Sequence, residues 1–122
     1  MSRILVVEDD ADLRESLCRS LSLPGYEVIA SGSGIQAKRI LASSYVRVLV
    51  ADVVTADQDG LGLIRSVRSL QPRVRVIAFS GAGDHAAEFD LAVAKRLGVD
   101  AIFTRPLPLP EIQETIRRLI GT

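Results

Sequence analysis

Short apolar runs and longer amphipathic segments alternate along the whole chain. The apolar runs are rich in Val and Ile and are mostly continuous, which is typical of strands covered on both faces. They predict five strands, at residues 4–7, 26–30, 46–51, 74–79 and 101–103. Between them, apolar residues recur every three or four positions, which predicts helices. The stripes of the five predicted helices are Leu13, Leu17 and Leu21; Ala37, Ile40 and Leu41; Leu61, Ile64, Val67 and Leu70; Leu91, Ala94 and Leu97; and Ile112, Ile116, Leu119 and Ile120.

Glycine and proline positions agree with these boundaries. Pro24 and Gly25 end the first helix, and Gly98 suits a cap after the fourth. Asp84 is a plausible N-cap of the fourth helix, and Pro110 suits the first turn of the last helix. The pattern predicts a doubly wound α/β fold, (βα)5, with a five-stranded parallel sheet and helices on both faces. We expect residues 1–122 to form one domain.

Composition narrows the class of protein. The chain has 15 basic and 15 acidic residues, so its charge gives no support for nucleic-acid or membrane partners. Cys18 is the only cysteine, which excludes an intrachain disulfide. The N-terminal segment is too short and too acidic for a secretion signal, and we expect a cytoplasmic protein.

Chemistry-bearing residues follow four of the predicted strands. Glu8 and Asp9 follow the first strand, Asp52 the third, Ser80 the fourth and Arg105 the fifth. Ligands of open parallel sheets bind beyond the carboxyl ends of the strands, so these side chains should meet there if the first and third strands are neighbours. Clustered carboxylates repel one another unless a cation neutralises them, and oxygen ligands suit Mg²⁺. With a hydroxyl and a basic side chain added, the set suits phosphoryl transfer.

Each of these residues has a simpler interpretation when taken alone. An acid just after a strand, such as Asp10 or Asp12, is most often a helix N-cap. A lone Ser80 would be a turn residue, and a lone Arg105 a solvated cation. Their occurrence together at four strand ends favours a functional site.

Three segments resemble the receiver domain of response regulators. They are residues 4–10, with Glu8, Asp9 and Asp10 at the end of an apolar run; residues 52–60, from Asp52 to Asp59-Gly60; and residues 98–106, ending in Arg105-Pro106. The resemblance covers essentially the whole chain. It implies the flavodoxin-like receiver fold, with the strand order 2-1-3-4-5.

The resemblance also implies a role for each site residue. Asp52 would be the phosphoacceptor, which takes a phosphoryl group from a sensor histidine kinase or a phosphotransfer protein. Asp9, Asp52 and the backbone carbonyl of Val54 would bind Mg²⁺ directly, with Glu8 acting mostly through bound water. Ser80 and Arg105 would hold phosphoryl oxygens, and Gly81 would leave room for them. The chain would catalyse only its own phosphorylation and slow dephosphorylation, and would signal to a downstream protein without contacting DNA.

The sequence departs from the family in three places. Arg105 stands where the family has lysine, and a planar guanidinium differs in geometry from an ammonium. Ile102 occupies the usual position of a switch Tyr or Phe, and strand alternation should direct the adjacent Phe103 to the opposite face. The segment from Ser80 to Gly98 is about three residues longer than is common in the family.

These departures leave an alternative function open. The chain could be a phosphorylation-independent receiver that acts only as a protein-interaction module. A nucleotide- or flavin-binding protein is the third possibility, but acids follow the first strand where a Gly-rich phosphate loop would be needed.

Overall fold

In a computed structural model of the protein, five parallel strands form one sheet in the order β2-β1-β3-β4-β5. The structure describes residues 1–53, 60–80 and 92–121. The strands are β1 (Ser2–Val7), β2 (Tyr26–Ser31), β3 (Val48–Asp52), β4 (Arg75–Ser80) and β5 (Ala101–Thr104). The helices are α1 (Ala11–Leu21), α2 (Gly34–Ser43), α3 (Gly60–Leu70), α4 (described over residues 92–96) and α5 (Leu109–Ile120). The predicted fold class and strand order are confirmed.

Alternate residues of the central strands face two separate cores, because successive side chains of a strand point to opposite faces. Ile4 and Val6 of β1 pack with α1 and α5, whereas Leu5 and Val7 pack with α2 and α3. Every residue of β3 is buried, as expected for a strand covered by helices on both faces. Helices therefore pack against both faces of the sheet, and this packing fixes the positions of the residues at the ends of its strands.

Local signals end the helices where the sequence predicts. Asp10 is the N-cap of α1, and its side chain accepts hydrogen bonds from the backbone of Asp12 and Leu13. Gly98 follows α4 with a φ of 84°, a left-handed conformation that glycine adopts at little cost. Pro110 lies in the first turn of α5. Asp84, the predicted cap of α4, lies outside the described residues.

The start of β3 differs from the prediction. The apolar run begins at Val46, but the strand begins at Val48. The backbone N–H of Val46 donates to Oε1 of Gln71 at 2.8 Å instead of joining the sheet ladder. A side chain from the end of α3 thus takes the place of a neighbouring strand.

No helix in the described part of the chain is long and apolar enough to span a membrane.

Candidate functional site

The carboxyl ends of four adjacent strands bring the predicted residues together. Strand β3 lies between β1 and β4 with the pairs Val7–Ala51 and Asp52–Phe79 in register. The ladder continues past the last strand, since the N–H of Arg105 donates to the carbonyl of Ser80 at 3.1 Å. Strand order, and not sequence proximity, therefore assembles this edge of the sheet.

Three carboxylates converge at this edge. One oxygen from each of Glu8, Asp9 and Asp52 lies within 4.8 Å of the other two. Glu8 is fully buried and Asp52 is 3% exposed, whereas Asp9 is open to solvent. An oxygen-only donor set with one exposed member suits a hard divalent cation that keeps part of its water shell, as Mg²⁺ does. The residues present therefore fit Mg²⁺, and Val54, the third ligand that the resemblance implies, lies outside the described residues.

Arg105 bridges the two buried carboxylates. Its Nη2 lies 2.8 Å from Oε1 of Glu8 and 3.0 Å from Oδ2 of Asp52. The arginine side chain is about one-third exposed, so it reaches into the site from the solvent side. The residue that replaces the family's lysine thus keeps a cation against Asp52, and it also contacts Glu8.

The surroundings of Glu8 make it a weak acid. Burial raises the pKa of Glu8 from its ordinary value of 4.5 to about 8, and the hydrogen bond and like charge of Asp52 act in the same direction. Arg105 and the backbone N–H of Asp10 lower the pKa of Glu8 but do not compensate. Without a bound cation, Glu8 therefore holds a proton at neutral pH, and a cation that binds here must displace it.

Three buried polar atoms of the site have no hydrogen-bond partner among the described residues. They are Oε2 of Glu8, Oγ of Ser80 and Nε of Arg105. Buried polar atoms are nearly always paired in folded proteins, and unpaired ones commonly mark a functional site. Here a carboxyl oxygen, a hydroxyl and a cationic donor are left for a ligand at the same strand ends.

Gly60 and Arg14 contact the backbone of site residues, although the sequence pattern does not place either of them in the site. Gly60 begins α3 so close to the end of β3 that a Cβ there would lie 2.5 Å from the carbonyl oxygen of Asp52. Arg14 of α1 reaches back to the β1–α1 turn, where its Nη1 donates to the carbonyl of Glu8 at 2.8 Å. Spacing identifies Gly60 only as part of a motif, and Arg14 only as a polar position of an amphipathic helix.

The structure confirms the predicted divergence of Ile102 and Phe103. Ile102 packs against the core that α2, α3 and α4 cover, whereas Phe103 packs against the core beneath α1 and α5. Phe103 therefore does not take over the position of the missing aromatic residue. Gly81 and the longer loop after Ser80 lie outside the described residues.

The comparisons with known proteins agree with this geometry. Residues 4–117 match the family of response regulator receiver domains. The chain is 36% identical over 118 residues to the response regulator MprA of Mycobacterium ulcerans, covering 97% of this chain and 50% of that protein. It thus spans about half the length of the curated relatives that it matches.

Solved structures show the same fold. A response regulator receiver domain protein from Clostridium thermocellum superposes with a TM-score of 0.87 at 21% identity, covering 99% of this chain and 95% of that one. A CheY-like receiver domain protein from Methanospirillum hungatei gives 0.84 at 23% identity, with coverages of 98% and 94%. The chain belongs to the response regulator receiver domain family of two-component signalling.

Proposed function

We propose that this chain is a phosphoacceptor, in which Asp52 takes a phosphoryl group from a phosphohistidine on a sensor kinase or a phosphotransfer protein. The observation that supports this most strongly is the convergence of three carboxylate oxygens within 4.8 Å at the ends of β1 and β3. The Oγ of Ser80 and the Nε of Arg105 have no hydrogen-bond partner among the described residues, and they lie at the end of β4 and just after β5.

Asp52 has a fixed position and a side chain that can act as a nucleophile. It ends a fully buried strand, so its backbone is fixed, and a carboxylate can form a covalent phosphoryl intermediate. In the proposed step a carboxylate oxygen of Asp52 bonds to phosphorus while the phosphorus–nitrogen bond of the donor breaks. The electron pair stays on the imidazole nitrogen, which takes a proton from solvent.

The remaining residues would stabilise the transferred group. Glu8, Asp9 and Asp52 would hold Mg²⁺, with the carbonyl of Val54 as a further ligand. When bound, Mg²⁺ would neutralise negative charge that develops on the phosphoryl oxygens. The Oγ of Ser80 and the guanidinium of Arg105 would donate hydrogen bonds to those oxygens. On this proposal the chain turns over no separate substrate and catalyses only its own phosphorylation and slow dephosphorylation.

Phosphorylation would add about −1.5 to −2 charges at Asp52. Ser80 and Arg105 lie at the ends of β4 and β5, so their movement toward the phosphoryl group would shift the surface formed by α4, β5 and α5. The signal would leave through contact of this surface with a downstream protein. We place these events in the cytoplasm, as the resemblance to receiver domains implies.

The test is the intact mass of the protein after incubation with acetyl phosphate or phosphoramidate, with and without Mg²⁺. The wild type should gain one phosphoryl group only with Mg²⁺, and Asp52→Asn should gain none. Asp12→Asn, which removes an exposed acid from the first turn of α1, is the matched control and should be labelled like the wild type. Labelling that persists in Asp52→Asn, or no labelling of the wild type by either donor, would contradict the proposal.

One observation favours the second candidate, a phosphorylation-independent interaction module. Arg105 contacts both Glu8 and Asp52, so its guanidinium already occupies the buried acidic groups that Mg²⁺ would need. If Mg²⁺ and a phosphodonor leave the amide NMR spectrum of the wild type unchanged, this function is favoured. If the wild type is not labelled but Arg105→Lys is labelled at Asp52, then Arg105 is the residue that prevents phosphorylation of the wild type.

A further inference from the structure

Arg14 contacts the backbone of Glu8 and Asp9, which are two of the three acidic residues of the candidate cation site. Its Nη1 donates to the carbonyl of Glu8 at 2.8 Å, and the carbonyl of Asp9 lies 3.5 Å from the same nitrogen. Both carbonyls belong to the β1–α1 turn, and the arginine projects from the first turns of α1. The guanidinium therefore ties this turn to the helix that follows it.

This tie matters most for Asp9. Glu8 is fixed by burial, by Arg105 and by its backbone N–H, which donates to the carbonyl of Ser31 at 3.0 Å. The exposed Asp9 carboxylate makes no hydrogen bond to any side chain or backbone group that the structure describes. The direction of that carboxylate consequently depends on the conformation of its backbone, which Arg14 restrains.

A second segment restrains Arg14 in turn. Gly32, directly after β2, lies against the guanidinium, and a Cβ placed on it would be 3.3 Å from Nη1 and 3.9 Å from Cζ. Such a contact is tighter than most, so a side chain at position 32 would displace the guanidinium by a few tenths of an ångström from the position in which it holds the turn. Arg14 is thus enclosed between the β1–α1 turn and the start of the β2–α2 connection.

We propose that Arg14 is a positioning residue of the cation site, which sets the backbone of Glu8 and Asp9 so that both carboxylates face Asp52. This rests on the proposed function for its consequence, the binding of Mg²⁺. Positioning and simple electrostatics predict opposite results. A nearby cation repels Mg²⁺, so removal of the charge alone would tighten binding. Removal of the restraint would weaken binding, as loss of groups that orient metal ligands does, by about 10-fold or more.

The experiment measures Mg²⁺ affinity by calorimetry for the wild type, Arg14→Met and Arg14→Lys. Arg14→Met should bind Mg²⁺ about 10-fold more weakly, and Arg14→Lys, which keeps the charge and one donor, should recover part of the loss. Arg19→Met removes an exposed arginine from the same helix and should bind like the wild type. Denaturant unfolding of each variant separates a loss of affinity from a loss of fold. If Arg14→Met does not fold, Gly32→Ala replaces it and should weaken binding by a smaller factor.

A second measurement keeps the two proposals apart. Without metal, Arg14→Met should shift the amide NMR signals of residues 8–10 more than signals elsewhere in the molecule. Equal or tighter Mg²⁺ binding by Arg14→Met would overturn the positioning role while leaving the proposed function intact. Failure of the wild type to bind Mg²⁺ would contradict the proposed function, and unchanged amide signals at residues 8–10 would then overturn the positioning role as well.

Discussion

At the scale of single residues, Glu8 shows how burial controls the chemistry of the site. An ordinary glutamate is ionised at neutral pH, but Glu8 is fully buried beside Asp52. The charged form loses its hydration, and the neighbouring carboxylate disfavours a second negative charge. The sequence places Glu8 at the end of the first strand. It does not predict the raised pKa of Glu8, because that pKa results from burial in the folded chain.

This proton makes the stability of the metal-free protein depend on pH. Glu8 has a pKa of about 8 in the folded state and about 4.5 when unfolded, so the folded state binds more protons between these values. The free energy of unfolding should therefore contain a contribution that is present below pH 4.5 and is lost as the pH rises through 8. Urea unfolding at several pH values between 5 and 8.5, with EDTA present, measures it.

Glu8→Gln is the decisive variant, because the amide resembles the protonated acid and does not titrate. Its stability should fall less than that of the wild type as the pH rises. Glu114→Gln, which changes an exposed glutamate of α5, should retain the wild-type dependence. Identical pH dependence in Glu8→Gln and the wild type would show that Glu8 is not the titrating group.

At the scale of elements, the contact between α3 and the end of β3 has no room for a side chain. A Cβ at Gly60 would lie 2.5 Å from the carbonyl oxygen of Asp52 and 2.6 Å from the carbonyl carbon and oxygen of Val53. All three atoms belong to the backbone and cannot rotate away. The helix can therefore start this close to Asp52 only with glycine at its first position.

Gly60→Ala should destabilise the protein by about 1–3 kcal/mol, as overpacking in a core does. Helix propensity alone predicts the opposite sign, because alanine is favoured over glycine in helices by about 1 kcal/mol. The displaced strand end should also slow phosphorylation of Asp52. Denaturant unfolding and the rate of labelling by acetyl phosphate measure the two effects. A stabilised variant labelled at the wild-type rate would show that α3 can move without disturbing the site.

Gln71 connects three elements through one amide. Its Oε1 accepts from the N–H of Val46, and its Nε2 donates to the carbonyls of Leu41 and Ser44. Gln71→Leu should lower the free energy of unfolding by about 2–4 kcal/mol, because it leaves part-buried backbone groups without partners. Gln113→Leu, which loses contacts to Ser20 alone, should cost less when measured by the same urea titration. An equal cost for both would contradict this account of the Gln71 contacts.

The sequence predicts the elements better than it predicts the contacts between them. Hydrophobic periodicity and caps such as Asp10 and Gly98 depend on local interactions, which a sequence displays directly. The start of β3 was predicted two residues early because Gln71, which is distant in sequence, removes Val46 from the ladder. The acidic cluster was predictable because every strand of a parallel sheet ends at a defined edge. The contacts of Arg14 and Gly60 were not, because they depend on how a helix and a turn dock.

At the scale of the whole molecule, the positive and negative charges are unevenly placed. Glu8, Asp9 and Asp52 lie together where β1 and β3 end, whereas several arginines lie at or beside the starts of β1, β3 and β4, where Glu27 and Asp100 pair with two of them. Helices of an α/β fold run opposite to the strands, so their C-terminal carbonyls lie at the arginine-rich end and attract cations. Arg47, for example, donates to the carbonyl of Ile120 at the end of α5, and Arg68 to that of Gly98 after α4. We interpret these arginines as helix-end partners, and the three carboxylates at the opposite edge of the sheet as the proposed cation site.

Magnesium binding should consequently stabilise the entire fold. The proposed ligands come from β1 and β3 and converge only in the folded chain, so Mg²⁺ at 100 times its Kd should add about 2.7 kcal/mol to the free energy of unfolding. The effect should be larger at pH 8.5 than at pH 6, because at pH 6 Mg²⁺ must displace the proton of Glu8. Urea unfolding with MgCl₂, compared with NaCl at equal ionic strength, measures it. Asp9→Asn should lose most of the stabilisation, since it removes the exposed ligand without opening the core. Equal stabilisation by the two salts would mean that the acidic end attracts cations without a defined site.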